Sequence, residues 1–148
     1  LITVRRALED DAGMIAPLLR SADLREIVRM GEGAPEGVLR RCIARSDMAG
    51  VFFDGDRPLC VFGIVSCLDV GHPWLVGTGD LDRVPRAFLH ETRRWVAEWR
   101  GQYRLLTNRV DAQYEQAIRW LAWLGFSIGE PEPCGVNGAM FLTIEMRC

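Results

Sequence analysis

Residues 117–126 read Ala117-Ile118-Arg119-Trp120-Leu121-Ala122-Trp123-Leu124-Gly125-Phe126. Apolar side chains recur here at helical spacing, and glycine ends helices readily because it tolerates positive φ. A helix is predicted from Tyr114 to Leu124, closed by Gly125. Trp120 and Trp123 cannot both face inward with Leu121 and Leu124 unless that helix is buried almost all round. One of the two is therefore a candidate interface anchor, since tryptophan is enriched at binding surfaces. The plainer alternative is a boundary tryptophan partly covered by the C-terminal strands.

Outward from this helix the pattern alternates. Leu105 to Val110 reads as a strand, and Ile128 and then Ala139 to Met146 finish the chain as strands. Pro131 and Pro133 confine the first of these to a sheet edge or a loop. Pro85 to Arg100 is predicted as a helix with Phe88, Thr92, Trp95, Val96 and Trp99 on one face. Before it come a loop at Gly77-Thr78-Gly79-Asp80 and a short strand from Pro73 to Gly77. Val51 to Phe53 and Leu59 to Leu68 are strand-like, and Asp54-Gly55-Asp56 between them is a hairpin signal.

The first third of the chain is helical after an opening strand, Ile2 to Arg6. Asp10-Asp11 open a helix whose stripe is Met14, Ile15, Leu18 and Leu19, with Pro17 as a kink. Ser21 is expected to cap a second helix, with Leu24, Ile27 and Val28 inward and Arg25, Glu26 and Arg29 outward. Gly31-Glu32-Gly33 stops it. A third helix starts at Pro35 and turns Val38, Leu39, Cys42 and Ile43 inward. Strands in the middle with helices before and after imply an α/β fold, a mixed sheet covered on both faces, in one domain spanning 1–148.

Composition excludes several classes. The 148 residues are 49% hydrophobic and 26% charged, which is not the balance of a disordered chain. No apolar run approaches the ~18 residues of a membrane span. All 18 basic residues are arginine, a bias that fits a GC-rich coding sequence. A net charge of -2 argues against nucleic acid as a partner, despite the pairs Arg40-Arg41 and Arg93-Arg94. The five cysteines are odd in number and lack CxxC spacing, so neither a disulfide framework nor a metal site is expected. Reduced and mostly buried thiols are expected instead.

The element order, with Ala117 to Phe126 near its end, resembles the GCN5-related N-acetyltransferase (GNAT) superfamily. Ile2-Thr3-Val4-Arg5-Arg6-Ala7, Asp10-Asp11-Ala12 and Ile15-Ala16-Pro17-Leu18-Leu19 are similar to its opening. Pro73-Trp74-Leu75-Val76-Gly77-Thr78, Pro85-Arg86-Ala87-Phe88-Leu89 and Arg94-Trp95-Val96 resemble a narrower branch, the internal virion protein A type. That branch is encoded in podophage genomes near other particle genes.

The superfamily resemblance implies a twisted mixed sheet and an acyl-CoA site, and each chemical part has a place to be sought. The phosphate cradle would start at Arg83, but Arg86 and Phe88 stand where small residues belong and Pro85 removes a backbone donor. Arg83 and Arg86 remain candidates to hold phosphates by their side chains. The strand from Pro73 to Gly77 has no carboxylate, and Leu121 stands at the position where the family often carries tyrosine. Candidates for proton handling are then Tyr114, about two turns earlier, and His72 before a proline, while Asp111 at a strand end is a candidate to orient the amine. The structural alternatives are a turn histidine at His72 and a helix N-cap at Asp111. His90 reads as a surface or boundary residue.

The branch resemblance and the three missing features together imply a phage virion- or assembly-associated protein without conventional catalysis or a cofactor. Its expected partners are other particle proteins or further copies of itself, not membrane, and its expected place is the virion or the bacterial host cytoplasm. The rival expectation is a divergent acetyl-CoA-dependent N-acetyltransferase acting on a host protein or a small amine.

Overall fold

The computed structural model describes residues 2–148. Its strands are β1 (Ile2–Arg6), β2 (Met48–Asp54), β3 (Arg57–Cys67), β4 (Val70–Gly77), β5 (Leu105–Asp111), β6 (Ser127–Pro133) and β7 (Met140–Arg147). Its helices are α1 (Asp11–Ile15), α2 (Ser21–Met30), α3 (Pro35–Arg45), α4 (Pro85–Arg100) and α5 (Glu115–Leu124). The strands form one seven-stranded sheet in the order β1-β2-β3-β4-β5-β7-β6.

Every neighbouring pair is antiparallel except β4 and β5. Those two run parallel and pair only at Val70–Leu105 and Gly71–Leu106. Beyond Gly71 they diverge, which opens a wedge in the middle of the sheet. Successive side chains of a strand point to opposite faces, so Val51 and Phe52, or Val61 and Phe62, feed two separate cores. One core lies under α4 and α5 and holds Phe62, Val96, Trp99, Leu121 and Phe126. The other lies under α1 to α3 and holds Ile15, Ile27, Leu39 and Val76.

Local chemistry explains the element limits. Asp54 ends β2 and Gly55 turns the hairpin with φ 59°, where glycine has no steric penalty. Pro17 ends α1 early, and a 3-10 turn over Ala16–Leu18 follows. Pro131 and Pro133 sit in β6, an edge strand as expected. Gly125 closes α5 in the left-handed region.

Several expectations are corrected. The strand expected from Pro73 begins at Val70, so Pro73 lies inside it. Pro73 faces the wedge, where no ladder bond is required of its missing N–H. Leu68 is no strand residue but a turn residue with φ 56°. The loop after Gly77 winds into a 3-10 turn over Gly79–Arg83. Ser21 is the first residue of α2, and the cap position is Arg20, which makes no side-chain cap bond. Of the five free cysteines only Cys60 is buried, while Cys67 and Cys148 are exposed.

The largest correction is the face of α2. Leu24 and Val28 are exposed, at 40% and 57%, although their spacing suggested an inward stripe. Asp23 and Ile27 are buried instead, and Glu26 and Arg29 are half-buried on the side of the sheet. A helix that covers a wedge rather than a flat apolar sheet needs polar groups for the strand ends beneath it, and that requirement overrides hydrophobic periodicity.

Candidate functional site

Diverging strands leave backbone groups without ladder partners, and buried backbone groups require partners. Side chains supply most of them here. Nδ1 of His72 lies 3.0 Å from the Thr107 carbonyl oxygen across the narrow end. Asn108 donates from Nδ2 to the Pro73 carbonyl at 2.7 Å and accepts from the Arg109 N–H at 2.8 Å. At the wide end α2 spans the gap. An Asp23 carboxylate oxygen accepts from the Gly77 N–H at the end of β4. Glu26 Oε2 accepts from the Asp111 N–H at the end of β5, at 2.9 Å.

Leu75 has no such tie. Alternate residues of an antiparallel strand turn their N–H and C=O away from the partner. The Gly77 carbonyl accepts from Arg20 N and the Pro73 carbonyl from Asn108, both on the side away from β3. Leu75, midway between them, therefore presents its N–H and C=O to the wedge, and neither has a partner among the described residues.

A cavity of about 610 Å³ occupies the wedge. It reaches both cores, from Ile27 and Leu39 on one face to Phe62, Phe88, Trp95 and Trp120 on the other. Its walls are mainly apolar, and the buried Trp95 Nε1 beside it has no hydrogen-bond partner among the described residues.

The α2 side of the cavity is charged. Asp23 is buried and takes Arg20 Nε at 2.7 Å and the Tyr114 hydroxyl at 3.2 Å. Arg20 also reaches Asp82 at 3.1 Å. Asp111, only 1% exposed, takes Arg29 Nε at 2.7 Å and the Gln113 N–H at 2.9 Å. Burial pushes the Asp23 carboxyl above its ordinary range, against the pull of Arg20. Burial also pushes the Tyr114 hydroxyl up, helped by the negative charge of Asp23. Glu26 has no arginine partner among the described residues. Burial, with the nearby Asp23 and Asp111 charges, raises it from 4.5 to about 7 despite the Asp111 N–H.

The proposed site residues thus separate. Tyr114 lies in the cavity wall, brought there by the turn between β5 and α5. Asp111 is neither the N-cap of α5, which starts at Glu115, nor free, because Arg29 holds it. His72 is a strand residue rather than a turn residue, and it ties β4 to β5 outside the cavity lining. Arg83 pairs with Asp80 at 3.3 Å and Arg86 is exposed, and neither lines the cavity. Trp120 is half-buried against Phe88 and bonds Thr92 Oγ1 at 3.3 Å. Trp123 is 45% exposed, with the Arg93 guanidinium 4.3 Å above its ring.

Asp23, Glu26, Arg20 and Arg29 were not singled out from the sequence. Their one signal was an excess of charge on a short helix, which reads equally well as a solvated face. Among the described residues no His, Cys, Asp and Glu group has a metal-binding arrangement, and no helix is long and apolar enough to cross a membrane.

No family model matches the chain, and no curated protein matches it by sequence. Solved structures do match in shape. An N-acetyltransferase from Staphylococcus aureus superposes with a TM-score of 0.75 at 14% identity, over 99% of this chain and 98% of that one. A GNAT-family acetyltransferase from Streptococcus pneumoniae gives 0.67 at 16% identity, over 99% of both chains. A Salmonella typhimurium protein whose structure contains acetyl-CoA gives 0.70 at 12% identity, over 99% and 93%. Together with the parallel pair that diverges in mid-sheet, these likenesses show that the chain has the fold of the GNAT acetyltransferases.

Proposed function

We propose that the chain is an acyl-CoA-dependent N-acyltransferase whose donor lies in the wedge between β4 and β5. The observation that carries this reading is the unpartnered Leu75 N–H and C=O at the wall of an apolar cavity. A ligand that is an extended chain with an amide satisfies both groups at once. The cavity volume lies within the ordinary range for small-molecule sites. Acyl-CoA, when bound, supplies an activated thioester. The chain's own residues do the rest: Leu75 orients the donor arm, and Phe88, Trp95 and Trp120 exclude water. Arg83 and Arg86 hold phosphate by side-chain contacts, because Pro85 removes a backbone donor at the start of α4.

A second reading is favoured by that same helix start. Asp80 and Asp82 stand in the turn before α4, where negative charge opposes a diphosphate. With the resemblance to the virion protein branch, this supports a phage particle-associated protein that keeps the fold without acyl transfer. Its partners are then particle proteins or further copies of the chain, with exposed Trp123 as an anchor.

One measurement separates the two. Under the first reading, millimolar acetyl-CoA raises the melting temperature saturably, and the double variant R83A/R86A weakens that shift at least tenfold in concentration. No shift at millimolar acetyl-CoA overturns the first reading and leaves the second.

A further inference from the structure

We propose that Glu26 is the proton acceptor for the amine nucleophile, acting through the carboxylate oxygen that Asp111 does not hold. The inference rests on the acyl-transfer reading of the same cavity. Most acids around the cavity are already engaged. Asp23 is occupied by Arg20, the Tyr114 hydroxyl and the Gly77 N–H. Asp111 is occupied by Arg29 and the Gln113 N–H. Asp82 is tied to Arg20 and Glu91 to Arg94, and Glu32, in the turn after α2, is exposed to solvent. Tyr114 already donates its proton to Asp23, and its raised pKa keeps it protonated.

Glu26 differs from all of these. Oε2 is fixed by the Asp111 N–H at 2.9 Å, so the carboxylate has a set orientation. Oε1 has no partner among the described residues, and the side chain lines the cavity. The charged groups around it are Asp23 on its own helix and Asp111 on β5, each with its arginine, and Tyr114 ahead of α5. Burial, with two acids nearby, favours its neutral form and raises it to about 7. A base that titrates near the working pH is half ionised there and still basic enough to take a proton.

An ammonium group gives one proton to Glu26 Oε1 and becomes a free amine. Its nitrogen forms a C–N bond to the acyl carbon as the C–S bond breaks. The nitrogen's second proton and the thiolate together give the free thiol. Glu26 returns its proton to water.

The test compares wild type with E26Q, whose amide oxygen can still accept from Asp111. Thiol release from acetyl-CoA is followed from pH 5.5 to 8.5 with three primary amines: a lysine-containing peptide, spermidine and benzylamine. Acetyl-CoA affinity is measured by calorimetry, and the Glu26 carboxyl is titrated by carbon NMR in the free protein. The expected result is a wild-type rate with a midpoint matching the NMR titration near 7. E26Q is expected to lose that midpoint and about 100-fold in rate at pH 7, with unchanged acetyl-CoA affinity. If E26Q does not fold, E26D is expected to keep the midpoint with a lower rate. Acetyl-CoA binding with the same pH profile in E26Q overturns the Glu26 role alone, as does binding without thiol release from any of the three amines. No acetyl-CoA binding by wild type overturns both this role and the acyl-transfer reading.

Discussion

Arg29 and Asp111 form a pair of unequal burial, and the inequality predicts how each responds to truncation. Asp111 is almost fully enclosed, while the Arg29 side chain is 23% exposed. Removing the arginine leaves a carboxylate sealed in the protein with only the Gln113 N–H. Removing the acid leaves a guanidinium that can turn to water. R29A is therefore expected to cost about 3–5 kcal/mol, the usual penalty for orphaning a buried charge. D111N, which keeps an acceptor for the Gln113 N–H, is expected to cost less. Urea denaturation of the two variants checks the order, and equal losses would contradict it. The sequence had marked Asp111 as a cap or an amine-orienting group. It could not name Arg29 as its partner, because the two lie 82 positions apart.

At the scale of elements, α2 is a polar clasp rather than an amphipathic cover. Asp23 serves the end of β4 and Glu26 the end of β5, one helical turn apart, so a single short helix bridges both sides of the wedge. The consequence for mutation is inverted from the usual pattern. L24S and V28S, on the exposed face, are expected to change stability by less than ~0.5 kcal/mol. D23A leaves Arg20, the Tyr114 hydroxyl and the Gly77 N–H without their shared acceptor, and a loss of about 3 kcal/mol is expected. Chemical denaturation curves of the three variants test this. A larger loss from V28S than from D23A would return α2 to the orientation its periodicity suggested.

The whole molecule feels the clasp through pH. Glu26 has an ordinary value of 4.5 and a folded value of about 7. Between these values the folded chain keeps a proton that the unfolded chain releases. Stability therefore falls as pH rises from about 4.5 to about 7 and is level above that, by on the order of 3 kcal/mol. Asp23, also raised, acts in the same direction from 3.8 upward. Asp11 is held low by its bond to Arg5, so its contribution is lost only as pH drops below 3.8. The urea midpoint is expected to be higher at pH 5 than at pH 8. E26Q is expected to shrink that difference and to exceed wild type at pH 8. A flat wild-type profile would mean that Glu26 titrates as an ordinary carboxylate. A group that lowers stability at neutral pH while lining a cavity has the profile of a functional residue.

Taken alone, the sequence determined the run of elements and the covered mixed sheet. Those features are local: branched residues around Asp54-Gly55-Asp56, Pro85 at a helix start, Gly125 at a helix end, prolines on β6. It also placed Tyr114 among the candidates, and Tyr114 does reach the cavity. Tertiary structure alone decided the rest. The wedge exists because β4 and β5 pair at two positions and then part, and no local pattern encodes where a parallel pair ends. Once they part, the open strand ends demand acceptors, and that demand turned Asp23 and Glu26 inward against the hydrophobic period of their helix. His72 and Asn108 became ties across the gap for the same reason, and Leu75 was left with the free amide on which the functional reading rests.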